Sequence, residues 1–326
     1  MARSSEQAPR GGLGRLLPAW VALAVFAPPG VAAIPLAGLL LASHPRTGRE
    51  LLVLGVAGGG GIWWLLQAGE LPDQFLRAAV VIAAVALVAL TTLTRATFSH
   101  RTVLAAAIAL VATSALLLAL GSSWEAVRWW VEYRAGLTAR AFVGQAAALV
   151  PPTPGGHGGP LTLTGSQLAD LESWFDAFTR TLGEFAPALL ALQLLAGFAV
   201  AGATYRRIAA TPVGILPGRF RDFRFSEHLG WAAVVPLVVV VLPWLATAKL
   251  AAANLLAVTA AFYAVRGMAV AAFGLGLAGV GGFFLWAALI AIFILMLPFV
   301  VGGAILLGVL DAGLNLRRRW TTHASR

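Results

Sequence analysis

The chain has 326 residues, 60% of them hydrophobic and only 11% charged, with a mean hydropathy of +0.86 and a net charge of +10. That balance excludes an ordinary soluble domain and implies an integral membrane protein. The arginines fall in short groups between apolar runs, which excludes the continuous basic face of a nucleic-acid binder, and the absence of cysteine excludes disulfides, thiolate metal sites and cysteine nucleophiles.

Residues 1–15 are basic and lack a small-residue cleavage site, so they are expected to form a retained cytoplasmic tail. The membrane segments of residues 16–120 begin with Leu16 to Ser43, an apolar run interrupted by Pro28, Pro29 and Gly30. One kinked span would leave His44, Arg46 and Arg49 outside, whereas a hairpin returns them inside. Proline removes a helical donor and glycine permits reversal, so the hairpin is favoured, with its break facing protein because lipid cannot satisfy freed backbone groups. Leu51 to Gln67 is the next span, with Gly55 and Gly59 at small-xxx-small spacing and Trp63 and Trp64 at an interface. The loop carrying Glu70 and Asp73 is expected outside. Leu76 to Leu93 returns to the basic turn Arg95 to Arg101, and Thr102 to Leu120 crosses out again.

Residues 121–183 read as an extramembrane insert. Trp124 to Leu149 mixes Trp129 and Trp130 with charges and suits the membrane surface. A second amphipathic helix starts at the capping signal Thr164 and Gln167 and places Leu168, Leu171, Phe175, Phe178 and Leu182 on one face. His157, in the Pro/Gly loop between them, reads as a solvated loop residue rather than a metal ligand, since no second histidine stands at ligand spacing.

Residues 184–316 hold the C-terminal membrane segments, divided by an arginine loop over 205–230. Arg206, Arg207, Arg219, Arg221 and Arg224 are expected in the cytoplasm, because basic loops near spans are retained there. Phe220, Phe223 and Phe225 interleave them, which suits an ordered segment against anionic lipid phosphates. Trp231 to Thr247 crosses out, and the apolar stretch Ala251 to Leu310 supplies one or three further crossings, depending on whether Asn254 to Leu275 breaks near Arg266 and Gly267. Residues 317–326, beginning Arg317-Arg318-Arg319, form a cytoplasmic tail. The fold class expected is all-α, a polytopic helical bundle of about eight membrane segments with both termini inside.

Ionisable groups inside apolar runs are costly and therefore mark candidate sites. Arg266 stands on one segment with Asn254 and Tyr263, and a buried guanidinium with an amide and a phenol could grip a carboxylate or phosphate; at a span's end it would instead snorkel to the interface. Asp311, with Asn315 and Arg317 beyond it, forms a C-terminal polar cluster whose carboxylate is expected to pair with an arginine. The sequence has no HExxH, GxSxG, P-loop or paired carboxylates, so neither an enzyme nor a cofactor or metal is expected.

The segments IPLAGLL (34–40), FRDFRFSEHLGW (220–231), NLLAVTAAFYAVRGMAV (254–270) and LLGVLDAGLNLRRRW (306–320) resemble the YybS-like family, bacterial predicted multi-span membrane proteins of unknown function. The insert 121–183 has no counterpart in that resemblance. The family is distantly similar to S components of energy-coupling-factor transporters, which implies a binder of a small polar or anionic solute working with an ATPase-containing module, and Ala33 and Ala37 match the AxxxA spacing of S-component docking helices. The alternative is a structural protein of the bacterial cell envelope that docks envelope proteins and membrane lipids and needs no cavity. A pocket of about 300 Å³ or more, lined by polar residues from several spans, separates the two.

Overall fold

The computed structural model describes residues 16–148, 165–215, 217–218, 220–223, 225, 228–277, 297–317 and 319–320. Among these residues there is no strand. Five helices are long and apolar enough to cross a membrane, Gly48–Leu66, Leu71–Leu93, Phe98–Ala119, Ala186–Ile208 and the run Pro243–Leu275, and four shorter apolar helices accompany them.

The N-terminal run breaks where its prolines dictate. Helix α1 (Leu17–Phe26) ends at Ala27, and α2 (Gly30–Ala42) starts immediately after the Pro-Pro pair. Three contacts trace the reversal along α8 (Ala186–Ile208): Trp20 Nε1 donates to Thr204 Oγ1, Gln193 Nε2 donates to the carbonyl of Phe26, and Val31 lies against Gly197. The chain thus runs down α8 and back up it, and Gln193 satisfies a carbonyl freed by the break. Gly30 is required at the tip, since a Cβ there would stand 2.0 Å from the Trp64 ring.

Helix α2 becomes the centre of the N-terminal bundle because it is apolar all round, which suits a helix with protein on every side. It packs on α3 (Gly48–Leu66), α4 (Leu71–Leu93) and α8, and Val31, Leu36 and Leu40 join Leu87, Leu194 and Phe198 in one core. Ala33 and Ala37 lie inside that core. The AxxxA pair is therefore covered by the chain's own helices and offers no docking face.

Two sequence expectations on α3 are corrected. Trp64 is buried with the Arg77 guanidinium 5.8 Å from its ring centroid, so only Trp63 remains an exposed interfacial aromatic. Of the glycine run only Gly61 faces a neighbour, Ile34 of α2, whereas Gly55 and Gly59 meet nothing. Hydrogen-bonding geometry also explains a feature that apolar periodicity misses. Thr47 and Glu50 cap α3 reciprocally, and the Glu50 carboxylate further accepts from the backbone of Arg46 and, across the bundle, of Ala210. A buried carboxylate with these donors ties the start of α3 to the end of α8.

Helix α5 (Phe98–Ala119) packs on α4 and α8. It leads into α6 (Trp124–Ala148), which pairs with α7 (Gly165–Glu184) as a helical hairpin at the start of α8. Thr164, Arg318 and His157 lie outside the described residues. On α7, Phe178 is exposed and stacks on Trp174, whereas Thr179 is buried. Tethers to α4 come from Trp130 Nε1, which donates to Glu70, and Arg134, which pairs with Asp73 at 3.2 Å.

Helix α9 (His228–Val241) and the 3-10 turn Pro243–Ala248 lead to α10 (Lys249–Leu277), which is continuous through Arg266 and Gly267. No break occurs there, because Gly267 serves close packing rather than a turn. Helix α11 (Leu297–Leu314) meets α10 at Gly267 and Gly308, Arg266 meets Asp311, and Gly274 meets Trp320.

Candidate functional site

Asp311, near the end of α11, sits between two arginines. Arg266 Nε donates to its Oδ2 at 2.8 Å, Arg266 Nη2 donates to its backbone carbonyl at 3.0 Å, and Arg317 Nη2 donates to Oδ2 at 2.9 Å. All three side chains are buried, at 4%, 1% and 3% exposure for Arg266, Asp311 and Arg317. Asp311 Oδ1 makes no hydrogen bond among the described residues. The left-handed Asn315 (φ 50°) ends α11 and turns the chain so that Arg317 points back at Asp311.

Arg317 also reaches the arginine loop, donating to the carbonyls of Arg221 and Phe223 at 2.9 Å each. Phe225 stacks edge-on with Tyr263 and lies under the Arg266 guanidinium at 5.1 Å. Arg206 donates to the carbonyl of Pro217, and the Tyr205 hydroxyl accepts from the amide of Val213. The loop is thus held by protein contacts. Phe223 and Phe225 pack inward, and of the three loop phenylalanines only Phe220 is exposed. Arg206, Arg207 and Arg221 belong to this end, while Arg219 and Arg224 lie outside the described residues.

Asn254 does not join Arg266. It lies three turns earlier on α10 and is fully engaged there, its carbonyl accepting from the amide of Ala188 and its amide donating to the carbonyls of Glu184 and Leu250. It locks the start of α10 to the start of α8. Tyr263 is adjacent to Arg266 but serves as packing for Phe225. The three residues expected to grip one anion are therefore divided between two ends, and the guanidinium is already matched by a carboxylate.

The open space is elsewhere. Helices α5 and α10 both pack on α8, and between them lies a cleft of about 720 Å³. Its walls are apolar, from Ala106, Leu110, Leu195, Leu255, Val258 and Phe262, and its mouth carries Glu125, Arg128 and Glu184. Arg128 Nε donates to Glu132 at 2.8 Å and its Nη2 lies 3.5 Å from Glu184; the hydrogen bond to Glu132 pushes the guanidinium pKa above its ordinary value. The size expected of a binding pocket is met, but apart from the mouth the polar lining is limited to Thr247 and Asn254. Sequence reading missed this site because its walls come from three helices distant in the chain. The only local signal was the grouping of Glu125, Arg128 and Glu132 at helical spacing.

The model of a family described as "Predicted membrane protein (DUF2232)" matches residues 74–312. No curated protein and no solved structure shows significant similarity to this chain.

Proposed function

Because the chain belongs to the DUF2232 family of predicted membrane proteins, we propose that it is a non-enzymatic binding subunit of the bacterial cytoplasmic membrane that takes a small ligand into the cleft between α5, α8 and α10. The observation that carries this reading is the cleft, whose 720 Å³ falls within the roughly 300–1,000 Å³ of small-molecule sites. An S-component-like role, as the YybS-like resemblance implies, suits a bundle without a nucleotide-binding motif, with a separate ATPase-containing module driving release. The ligand is assigned to the cleft rather than to Arg266, whose guanidinium is engaged by the carboxylate and the backbone carbonyl of Asp311.

Ala107 and Ala251 line the cleft and are exposed, so enlarging them blocks it without disturbing the core. Native mass spectrometry of the protein purified from membranes is expected to show a small-molecule adduct that the double variant Ala107→Phe, Ala251→Trp lacks. Absence of any adduct on the parent, or its retention by the blocked variant, returns the advantage to a structural envelope role.

Membrane topology follows the loop charges. On this reading the α1–α2 hairpin is re-entrant, the loop at Glu70 and Asp73 and the helices α6 and α7 lie outside, and both termini are cytoplasmic. A cysteine at Gln74 or Ser173 is expected to react with an impermeant maleimide in intact cells, and one at Arg221 only after permeabilisation. Reaction at 221 in intact cells would invert the orientation.

A further inference from the structure

On the premise that the cleft binds a ligand, we propose that the occupant is a single-chain amphiphile with an ammonium head, its hydrocarbon tail lying along α10 and its head among the carboxylates of the mouth. The cleft face of α10 runs from Leu250 to Phe262, a length of about 18 Å at the helical rise. Along it Asn254 is the one side chain with a strongly polar group, and its carbonyl and amide are occupied by the backbone of Ala188, Glu184 and Leu250. A polar solute at that depth would lose its hydration with nothing to replace it, whereas a hydrocarbon chain leaves water favourably. The gap between α5 and α10 also lets a chain enter sideways, as an amphiphile in a bilayer would.

The head is selected by charge. Glu125 and Glu184 stand against Arg128 in the lining of the mouth, which leaves it one charge negative. Arg128 is engaged by Glu132 and Glu184 together, so an anionic head would meet an arginine already matched and carboxylates that repel it. An ammonium meets Glu125, which is exposed beside the cleft and in no ion pair among the described residues. Three donors on a compact cation suit acceptors arranged around it.

The full chain is tested with a fluorophore on Ser123→Cys, exposed outside the cleft lining near Glu125 and the single cysteine then present, against tetradecylamine, tetradecanoate and butylamine. Tetradecylamine is expected to bind saturably and about tenfold more tightly than tetradecanoate, butylamine not to bind, and Ala251→Trp to abolish the response. Exposed charge pairs contribute modestly, so Glu125→Gln is expected to weaken tetradecylamine by about two- to fivefold while leaving tetradecanoate unchanged or tighter. Equal or tighter binding of tetradecanoate to the parent overturns the ammonium head but leaves the cleft a binding site. Butylamine binding as tightly as tetradecylamine overturns the tail. An unchanged preference in Glu125→Gln overturns the placement of the head. Failure of all three probes overturns the ligand class, and the adduct experiment above then decides separately whether the cleft binds anything.

Discussion

Gly267→Ala is expected to destabilise the protein by about 3 kcal/mol or more, at the upper end of overpacking effects, because the added methyl has nowhere to go. A Cβ at Gly267 would stand 1.8 Å from the carbonyl oxygen of Ala304, and one at Gly308 would stand 2.0 Å from that of Tyr263. Both obstacles are helix backbone, which cannot rotate aside as a side chain can. Helix α11 must therefore move away from α10, and the movement also stretches the 2.8 Å contact of Arg266 with Asp311 one turn on. In lipid, helices gain no hydrophobic advantage from one another and associate through close packing and polar contacts, so losing both is severe. Thermal unfolding in detergent reads the effect, with Gly303→Ala as the control, since a Cβ there meets nothing. The control is expected to hold or gain slightly from better helix propensity. A Gly267→Ala protein as stable as the parent would show that the two helices are free to separate.

The second large effect is an asymmetry in the buried charge cluster. Asp311→Asn leaves Arg266 and Arg317 buried without their shared anion and is expected to cost about 3–5 kcal/mol, the range for breaking a buried ion pair from one side. Arg266→Gln leaves Asp311 paired one-to-one with Arg317 and is expected to cost about 1–2 kcal/mol, nearer the loss of hydrogen bonds alone. The order of the two is the test. Equal losses would mean that solvent reaches the cluster and screens it. Arg317→Gln adds a different readout: by releasing the carbonyls of Arg221 and Phe223 it is expected to expose the arginine loop to trypsin at least as much as Asp311→Asn does. A loop equally resistant in Arg317→Gln would show that Phe225 and Arg206 suffice to hold it.

How much was legible beforehand depends on the range of the force involved. The Pro28-Pro29-Gly30 break, the long spans and the amphipathic pair around residues 124–184 follow from proline chemistry, bilayer thickness and periodicity, all local properties. The boundary at Arg266 and Gly267 was ambiguous for the same reason: an arginine and a glycine inside an apolar run read alike as a break or as a contact with a distant helix. Only the arrival of Gly308 and Asp311 from α11 distinguishes them.

The sequence by itself determined that this chain is a helical membrane protein, where its arginines gather, and that Arg266 needs a partner, because hydrocarbon tolerates neither unpaired charge nor unpaired backbone. Tertiary structure alone decided which partner. It gave Arg266 to Asp311 and Asn254 to the start of α8, turned Trp64, Phe223 and Phe225 inward from the interface, and opened a cleft between α5 and α10 over α8. These outcomes depend on which helices become neighbours, and a pattern repeating every 3.6 residues records which face is apolar but not what that face meets.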